Sequence, residues 1–176
     1  MARHRLGVVL LVPEPWCTEV DGLRRALGDE ALPRVASHLT LVPPVNVRED
    51  ELAAAFDLVH AAAAACPPLT LTLGPVATFA PVNPVAYLAV SGDAGAMARL
   101  LALKDALQTG PLERPSEHDY VPHVTVANEL PDDRLAASAL ALSEYAVEVT
   151  FERVHVLAEQ PGRVWVPVAD AELAGR

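Results

Sequence analysis

Cysteine and aromatic residues are scarce in this chain of 176 residues, which has two cysteines and only 5% aromatic residues. Two cysteines are too few for the disulfide framework of a small secreted domain, and Cys17 and Cys66 lack the close spacing of a metal-binding pair. We therefore expect two reduced, partly buried thiols. Apolar residues make up 52% of the sequence, which is ample for the core of a single domain over residues 1–176.

Long apolar runs are also missing. The run over residues 6–12 is short for a signal peptide and ends at Pro13-Glu14 without a small-residue cleavage pattern. The alanine-rich run near residue 61 ends at Pro67-Pro68, and no segment approaches the ~20 apolar residues of a membrane-spanning helix. The sequence therefore predicts no membrane association and a cytoplasmic location.

Basic residues are in the minority. The chain has 13 Lys and Arg against 23 Asp and Glu, which gives a formal net charge of -10. Such a surface repels a long polyanion, so extended nucleic-acid binding is disfavoured. A short anionic ligand held by local groups stays compatible with this charge.

The apolar periodicity predicts the same order of elements twice, strand, helix, strand, helix, strand. In the first half the predicted strands cover 5–12, 36–42 and 69–74 with an irregular continuation to Phe79, and the helices cover 19–28 and 49–65. In the second half the strands cover 84–90, 121–127 and a long 145–157, the helices cover 93–108 and 132–142, and a closing strand covers 163–168.

The central strand of each half carries the same histidine-X-threonine-X pattern, His38-Leu39-Thr40-Leu41 and His123-Val124-Thr125-Val126. Because side chains alternate between the faces of a strand, the histidine and threonine of each motif share one face. A single pair of this kind is typical of any half-buried strand. Two pairs at equivalent places of an internal repeat predict that both strands face one cleft between two lobes related by an approximate twofold axis.

Two such motifs, with Pro122 directly before the second histidine, resemble the 2H phosphoesterase superfamily, which includes 2'-5' RNA ligase-like proteins and cyclic nucleotide phosphodiesterases. The resemblance implies an α+β fold, bilobal and duplicated, with two antiparallel-rich sheets and outer helices around a central cleft. It implies metal-independent hydrolysis of a 2',3'-cyclic phosphate or a related small phosphodiester, without a cofactor. For hydrolysis it also implies that His38 is the general acid and His123 the general base.

The residue types suit this chemistry. In-line cleavage of a phosphodiester needs a base on one side of phosphorus and an acid on the other, and two facing imidazoles with a pKa near ~6.5 supply both. Hydroxyl groups of Thr40 and Thr125 would donate hydrogen bonds to the non-bridging phosphate oxygens. His38 and His123 are therefore the catalytic candidates, and either could serve as acid or base on geometry alone.

Three other interpretations compete with this one. A metal-assisted hydrolase could draw on the six histidines, although no carboxylate or cysteine stands at ligand spacing beside the two motifs. The segment Ser116-Glu117-His118-Asp119 suggests a serine hydrolase, but the chain lacks a GxSxG elbow. The same cleft could also serve a non-catalytic module that binds a phosphate or a nucleotide.

Further cleft candidates and the substrate class are less sharply defined by the sequence. Arg34, Arg114, His118 and Tyr120 could contact phosphate or a base, or be ordinary surface loop residues. Phe79 and Tyr87 could stack on a nucleobase or fill the core.

Residues 42–45, Val-Pro-Pro-Val, depart from the aromatic-Leu-Gly turn common in bacterial RNA cyclic phosphodiesterases. This departure and the net charge favour a small cyclic phosphate or nucleotide, with an RNA terminus left open. We expect a monomer, and hydrolysis rather than ligation.

Overall fold

The computed structural model describes residues 2–115 and 119–175. Within these ranges the elements are, in chain order, β1 (Arg3–Leu11), α1 (Trp16–Leu27), β2 (His38–Arg48), α2 (Leu52–Ala65), β3 (Leu69–Thr78), β4 (Ala86–Ser91), α3 (Ala94–Leu107), β5 (His123–Ala127), α4 (Asp132–Ala141), β6 (Val147–Phe151), β7 (Arg153–Gln160) and β8 (Val164–Glu172), with short 3-10 turns at Glu49–Glu51 and Gly110–Leu112. The predicted α+β class is confirmed. In the described part of the chain no helix is both long and apolar enough to cross a membrane.

The strands form one antiparallel sheet in the order β6-β3-β4-β5-β2-β1-β7-β8. Two sheets were expected from the sequence, and the structure corrects this detail. The two groups of four strands are joined where β2 meets β5 through a single recorded residue pair, Leu39 with Val124. Pairing at this point satisfies backbone groups that two separate sheets would leave on exposed edges.

The halves of the sheet are not the halves of the sequence. The last strand of the first sequence half, β3, pairs with β4 and β6 of the second, whereas β7 pairs with β1 of the first. The long strand predicted over 145–157 is consequently divided at Glu152, because β6 and β7 join opposite ends of the strand order. Two residues span about 7 Å of extended chain, so the sheet curls enough to bring these strands together. A division into two lobes stays a prediction.

The helices pack on the face of the sheet opposite the motif histidines. Alternation along β2 and β5 turns Leu39 and Val124 away from the histidines, and both are 0% exposed. One apolar cluster joins these strand residues to a buried residue from each helix, namely Val20, Val59, Leu100 and Leu135. The polar motif side chains are therefore left on the face that no helix covers.

β2 continues beyond its predicted end, through two prolines, to Arg48. The register with β1 shifts between Val42, which pairs with Val8, and Val45, which pairs with Leu6. This irregularity contains Pro43 and Pro44, whose missing N–H groups would interrupt a regular ladder. The sequence Val-Pro-Pro-Val is thus a bulged strand and not a turn.

Candidate active site

The two motif strands lie side by side, so all four predicted site residues share one region of the sheet. With Leu39 opposite Val124 in an antiparallel pair, the neighbouring cross-strand positions are His38 beside Thr125 and Thr40 beside His123. Side chains at such positions have Cβ atoms roughly 4.5–5.5 Å apart in a regular ladder. Continued in register, this pairing would bring each histidine next to the threonine of the other motif.

Both imidazole rings are held by the same local hydrogen bond. Nδ1 of His38 lies 2.7 Å from the Ala36 carbonyl, and Nδ1 of His123 lies 2.7 Å from the Val121 carbonyl. A carbonyl can only accept, so Nδ1 carries the hydrogen in each ring and donates it. Nε2 is then the ring atom that remains to accept a proton from a ligand or return one to it.

Burial lowers the pKa of both histidines below the usual value. For His123 the lost hydration of the charged form outweighs the bond to the Val121 carbonyl, which acts in the opposite direction. For His38 burial is again the largest cause, and the positive charges of Arg24 and of a protonated His123 lower the pKa further. The two rings are chemically alike, but a fixed cation acts on only one of them.

A buried ionic network lies behind His38. Arg24 on α1 is 3% exposed and donates from Nε to Asp29 Oδ2 at 2.8 Å and from Nη1 to the Val35 carbonyl at 2.9 Å. It also donates to Ser37 Oγ, whose hydroxyl donates to Asp21 at 2.6 Å. The network fixes the segment that leads directly into His38.

This network reaches the second motif as well. Gly28 ends α1 in the left-handed region at φ 77°, and the chain turns so that the Asp29 N–H bonds the Arg24 carbonyl. Asp29 Oδ1 then accepts from Asn128 Nδ2 at 3.2 Å, just after β5. Sequence reasoning did not single out Arg24; the apolar spacing of α1 was the signal that could have placed it inward.

His123 has a different environment, formed by aromatic rings. Phe79 and Tyr87 stack with centroids 4.1 Å apart, and each meets the His123 ring edge-on at 5.1 and 5.4 Å. Both aromatic residues are partly exposed. Stacking on a nucleobase stays a prediction for these two residues, which here stack on each other and pack against a site histidine.

Of the other predicted cleft residues, Tyr120 and Arg114 contact the first motif strand. Tyr120 donates its hydroxyl to the Thr40 carbonyl at 2.8 Å, and burial raises its pKa. Arg114 donates to the Pro44 carbonyl. The backbone carbonyl of Arg34 accepts a hydrogen bond from the backbone N–H of Trp165 at 2.7 Å. Arg34 thus connects the loop before β2 to β8. His118 lies outside the described residues, as do Ser116 and Glu117 of the serine hydrolase interpretation.

A cavity of about 220 Å³ opens beside the first motif, with His38 and Thr40 in its wall. Arg5, Glu159 and Trp165 also line it, whereas the second motif does not. Sequence reasoning did not single out any of these three residues, because they come from three separate strands. For residues 2–115 and 119–175, no group of three or more His, Cys, Asp or Glu side chains is arranged to hold a metal ion.

Comparison with known proteins assigns the chain to a family. Residues 12–163 match the model of the 2'-5' RNA ligase superfamily. The chain belongs to this superfamily, that of the 2H phosphoesterases. A Bacillus pumilus protein provisionally named a phosphoesterase is 31% identical over 163 residues, covering 92% of each chain.

Solved structures show the same fold. A Thermus thermophilus protein superposes with a TM-score of 0.63 at 20% identity, covering 98% of this chain and 99% of the other. Escherichia coli LigT in complex with 3'-AMP gives a TM-score of 0.60 at 17% identity with the same coverage. The 2H phosphoesterase resemblance drawn from the two motifs is confirmed.

Replacing Arg24 with methionine should destabilise the protein by about 3–5 kcal/mol, because Asp29 would stay buried without its cation. Urea unfolding measures this, and Asp29→Asn in the same chain should restore part of the loss. Arg153→Met is the matched control, since Arg153 pairs with Asp170 and Glu172 at the surface and should cost at most about 1 kcal/mol. Equal costs for the two arginine variants would contradict the assigned network.

The lowered histidine pKa values should be visible in solution. In NMR titrations the rings of His38 and His123 should both protonate below about pH 6.5, with Nδ1 as the protonated nitrogen of the neutral form. Because the unfolded chain then binds protons more readily, the free energy of unfolding should fall as the pH drops below about 6.5. A midpoint above 6.5 for either ring would refute burial as the controlling effect.

Proposed function

We propose that this protein is a metal-independent phosphodiesterase that hydrolyses a 2',3'-cyclic phosphate or a related small phosphodiester. The superfamily supports action on phosphodiester bonds. The observation that carries the finer proposal is the mirrored pair of histidines, each held through Nδ1 by the carbonyl two residues earlier, on two strands that pair at Leu39 and Val124. This arrangement offers two proton-transfer atoms and two hydroxyl donors to one bound phosphate.

The proposed reaction moves one proton at each end of an in-line displacement. Nε2 of His123 takes a proton from water as the water oxygen attacks phosphorus. The bond from phosphorus to one ring-closing oxygen breaks, and Nε2–H of His38 gives its proton to that oxygen. The products are a phosphomonoester and a free hydroxyl, with one water consumed.

The threonines would stabilise the charge that develops on phosphate. A hydroxyl of Thr40 or Thr125 donates to a non-bridging oxygen, where negative charge concentrates in the transition state. The two residues stand at equivalent strand positions, so they can bind oxygens on both sides of phosphorus. No cation is needed for this step, and none enters the proposal.

One feature of the free protein disagrees with the proposed assignment of His38 as the acid and His123 as the base. The charge of Arg24 lowers the pKa of His38, which favours a neutral ring and hence a base, whereas the superfamily resemblance makes His38 the acid. A bound phosphate brings negative charge beside the ring and favours its protonated form. Because this effect acts on both rings, the superfamily resemblance is the ground on which we retain His38 as the acid.

The substrate should be small. The net charge of -10 disfavours a long polyanion, although an RNA terminus remains a candidate. Related LigT structures were solved with 3'-AMP, ATP and phosphate, which supports a nucleotide-sized ligand. We propose that the protein acts as a monomer.

Replacing either motif histidine with alanine should lower turnover of a 2',3'-cyclic nucleotide by about 10² to 10⁴, the usual contribution of a general acid or base. Thr40→Val and Thr125→Val should each cost about 2–4 kcal/mol in transition-state stabilisation while the fold survives. His60→Ala, on the exposed side of α2, is the control and should retain full activity.

Activity should also survive EDTA. Activity lost in EDTA and restored by zinc or manganese would refute the metal-free mechanism. Binding of a cyclic nucleotide without any turnover by the wild-type protein would instead support the non-catalytic alternative.

An activated leaving group should distinguish acid from base. A nitrophenyl phosphodiester needs little protonation of its departing oxygen, so it should rescue His38→Ala far more than His123→Ala. Rates for both variants are compared on this substrate and on an unactivated one. Rescue of His123→Ala alone would reverse the roles, and would indicate that the charge of Arg24 also dominates in the complex.

A further inference from the structure

Three side chains of different chemistry form a row across the cavity beside His38 and Thr40. Leu6 pairs with Ala158, so the preceding position on β1, Arg5, lies across from Glu159 on β7. Glu159 pairs in turn with Trp165 on β8. Arg5, Glu159 and Trp165 all line the same cavity, although the proposed proton transfers use none of them.

The row is organised by one ion pair and one glycine. Arg5 Nε lies 3.1 Å from Glu159 Oε2, and the glutamate side chain is 23% exposed. A Cβ added to Gly7 would lie 3.7 Å from Cζ3 of Trp165, so the indole extends over a strand position that carries no side chain. An aromatic ring, a carboxylate and two guanidinium groups, the second from Arg163, therefore border one space of about 220 Å³.

These groups suit a nucleobase better than a second phosphate. A carboxylate only accepts hydrogen bonds and repels an anion, so Glu159 argues against a purely phosphate-binding site. An indole provides a stacking surface for any base. The site thus offers one flat apolar wall and a polar edge that pairs an acceptor with a donor.

The polar edge discriminates among the bases. Guanine presents two adjacent donors, N1–H and the N2 amino group, beside the O6 acceptor. The carboxylate of Glu159 can accept from the donors while Arg5 donates to O6, a favoured arginine partner. Adenine turns its unprotonated N1 toward the same edge, where a carboxylate repels it, and uracil offers a single N–H between two carbonyl groups.

We propose that the cavity bordered by Arg5, Glu159 and Trp165 is a subsite for a guanine base, carried by the nucleoside whose phosphate reaches His38 and Thr40. The subsite deepens the proposed phosphodiesterase function, on which the placement of the phosphate rests. It makes a guanosine 2',3'-cyclic phosphate, or an end bearing guanosine, the preferred substrate class.

Binding tests the subsite separately from catalysis. The His123→Ala variant is used because this histidine does not line the cavity and its loss should prevent turnover. Calorimetry with the four nucleoside 3'-monophosphates should show guanosine bound about 10- to 100-fold more tightly than adenosine, the discrimination expected of a paired base contact. Equal affinity for all four nucleotides would overturn the subsite.

Variants of the row should have different signatures. Glu159→Gln in the same background should remove most of the preference for guanosine. Trp165→Leu should instead weaken the binding of all four nucleotides, because stacking on an aromatic ring tolerates any base. Glu172→Gln is the matched control: its carboxylate faces Arg153 at the other end of the same hairpin, so the guanosine preference should persist. The assignment would be overturned if only the Glu172→Gln control lost the preference for guanosine. It would also be overturned if both glutamate variants kept that preference.

Turnover by the wild-type protein then separates the two proposals. A higher kcat/KM for guanosine 2',3'-cyclic phosphate than for the adenosine compound supports both. Preferential guanosine binding without turnover of any cyclic nucleotide supports the subsite and refutes the proposed reaction. Turnover of all four cyclic nucleotides at similar kcat/KM, with similar affinities, refutes the subsite and leaves the reaction in place.

Discussion

The pairing of β2 with β5 is the contact on which the rest of the site depends. Only one residue pair, Leu39 with Val124, is recorded between these strands, yet it connects two groups of four strands. Both residues are fully buried on the helix side, so core packing fixes the register. Because a shift of one residue would turn every side chain to the other face, this register decides that the histidines and threonines share an open surface.

The site was more predictable from the sequence than the topology. Histidine and threonine two residues apart on a strand must share a face. The second copy of the pattern, at an equivalent place in the repeat, then singled out the motif residues, whose catalytic roles stay a prediction. The strand exchange could not be predicted in this way. The alternation of 145–157 shifts phase at Glu152, from Val149 and Phe151 to Val154 and Val156, which marks a break but does not show which strands the two parts pair with. The Arg5–Glu159 ion pair depends on β1 and β7 becoming neighbours, so a pattern search could not find it, whereas the apolar spacing of α1 could have placed Arg24 inward.

The duplicated motif gives near-equivalent histidines, but their surroundings are not equivalent. His38 lies in front of a buried cation that also fixes the loop before β2, whereas His123 meets the edges of two stacked aromatic rings. A symmetric pair would have no reason to divide the roles of acid and base. Burial lowers the pKa of both rings, and the charge of Arg24 lowers that of His38 further. In the free protein this favours His38 as the base, so the acid role proposed for His38 rests on the superfamily resemblance and not on these electrostatics.

The same asymmetry extends from chemistry to recognition. The cavity lies on the side of the first motif, because β7 and β8 extend the sheet beyond β1 there and carry Glu159 and Trp165. On the side of the second motif, Phe79 and Tyr87 occupy the space next to the histidine. Under the proposed function, a ligand whose phosphate spans the two motifs would place its base in the cavity in one direction. That direction would determine which ester oxygen faces His38, so the proposed subsite would select the bond that is broken as well as the nucleoside that is bound.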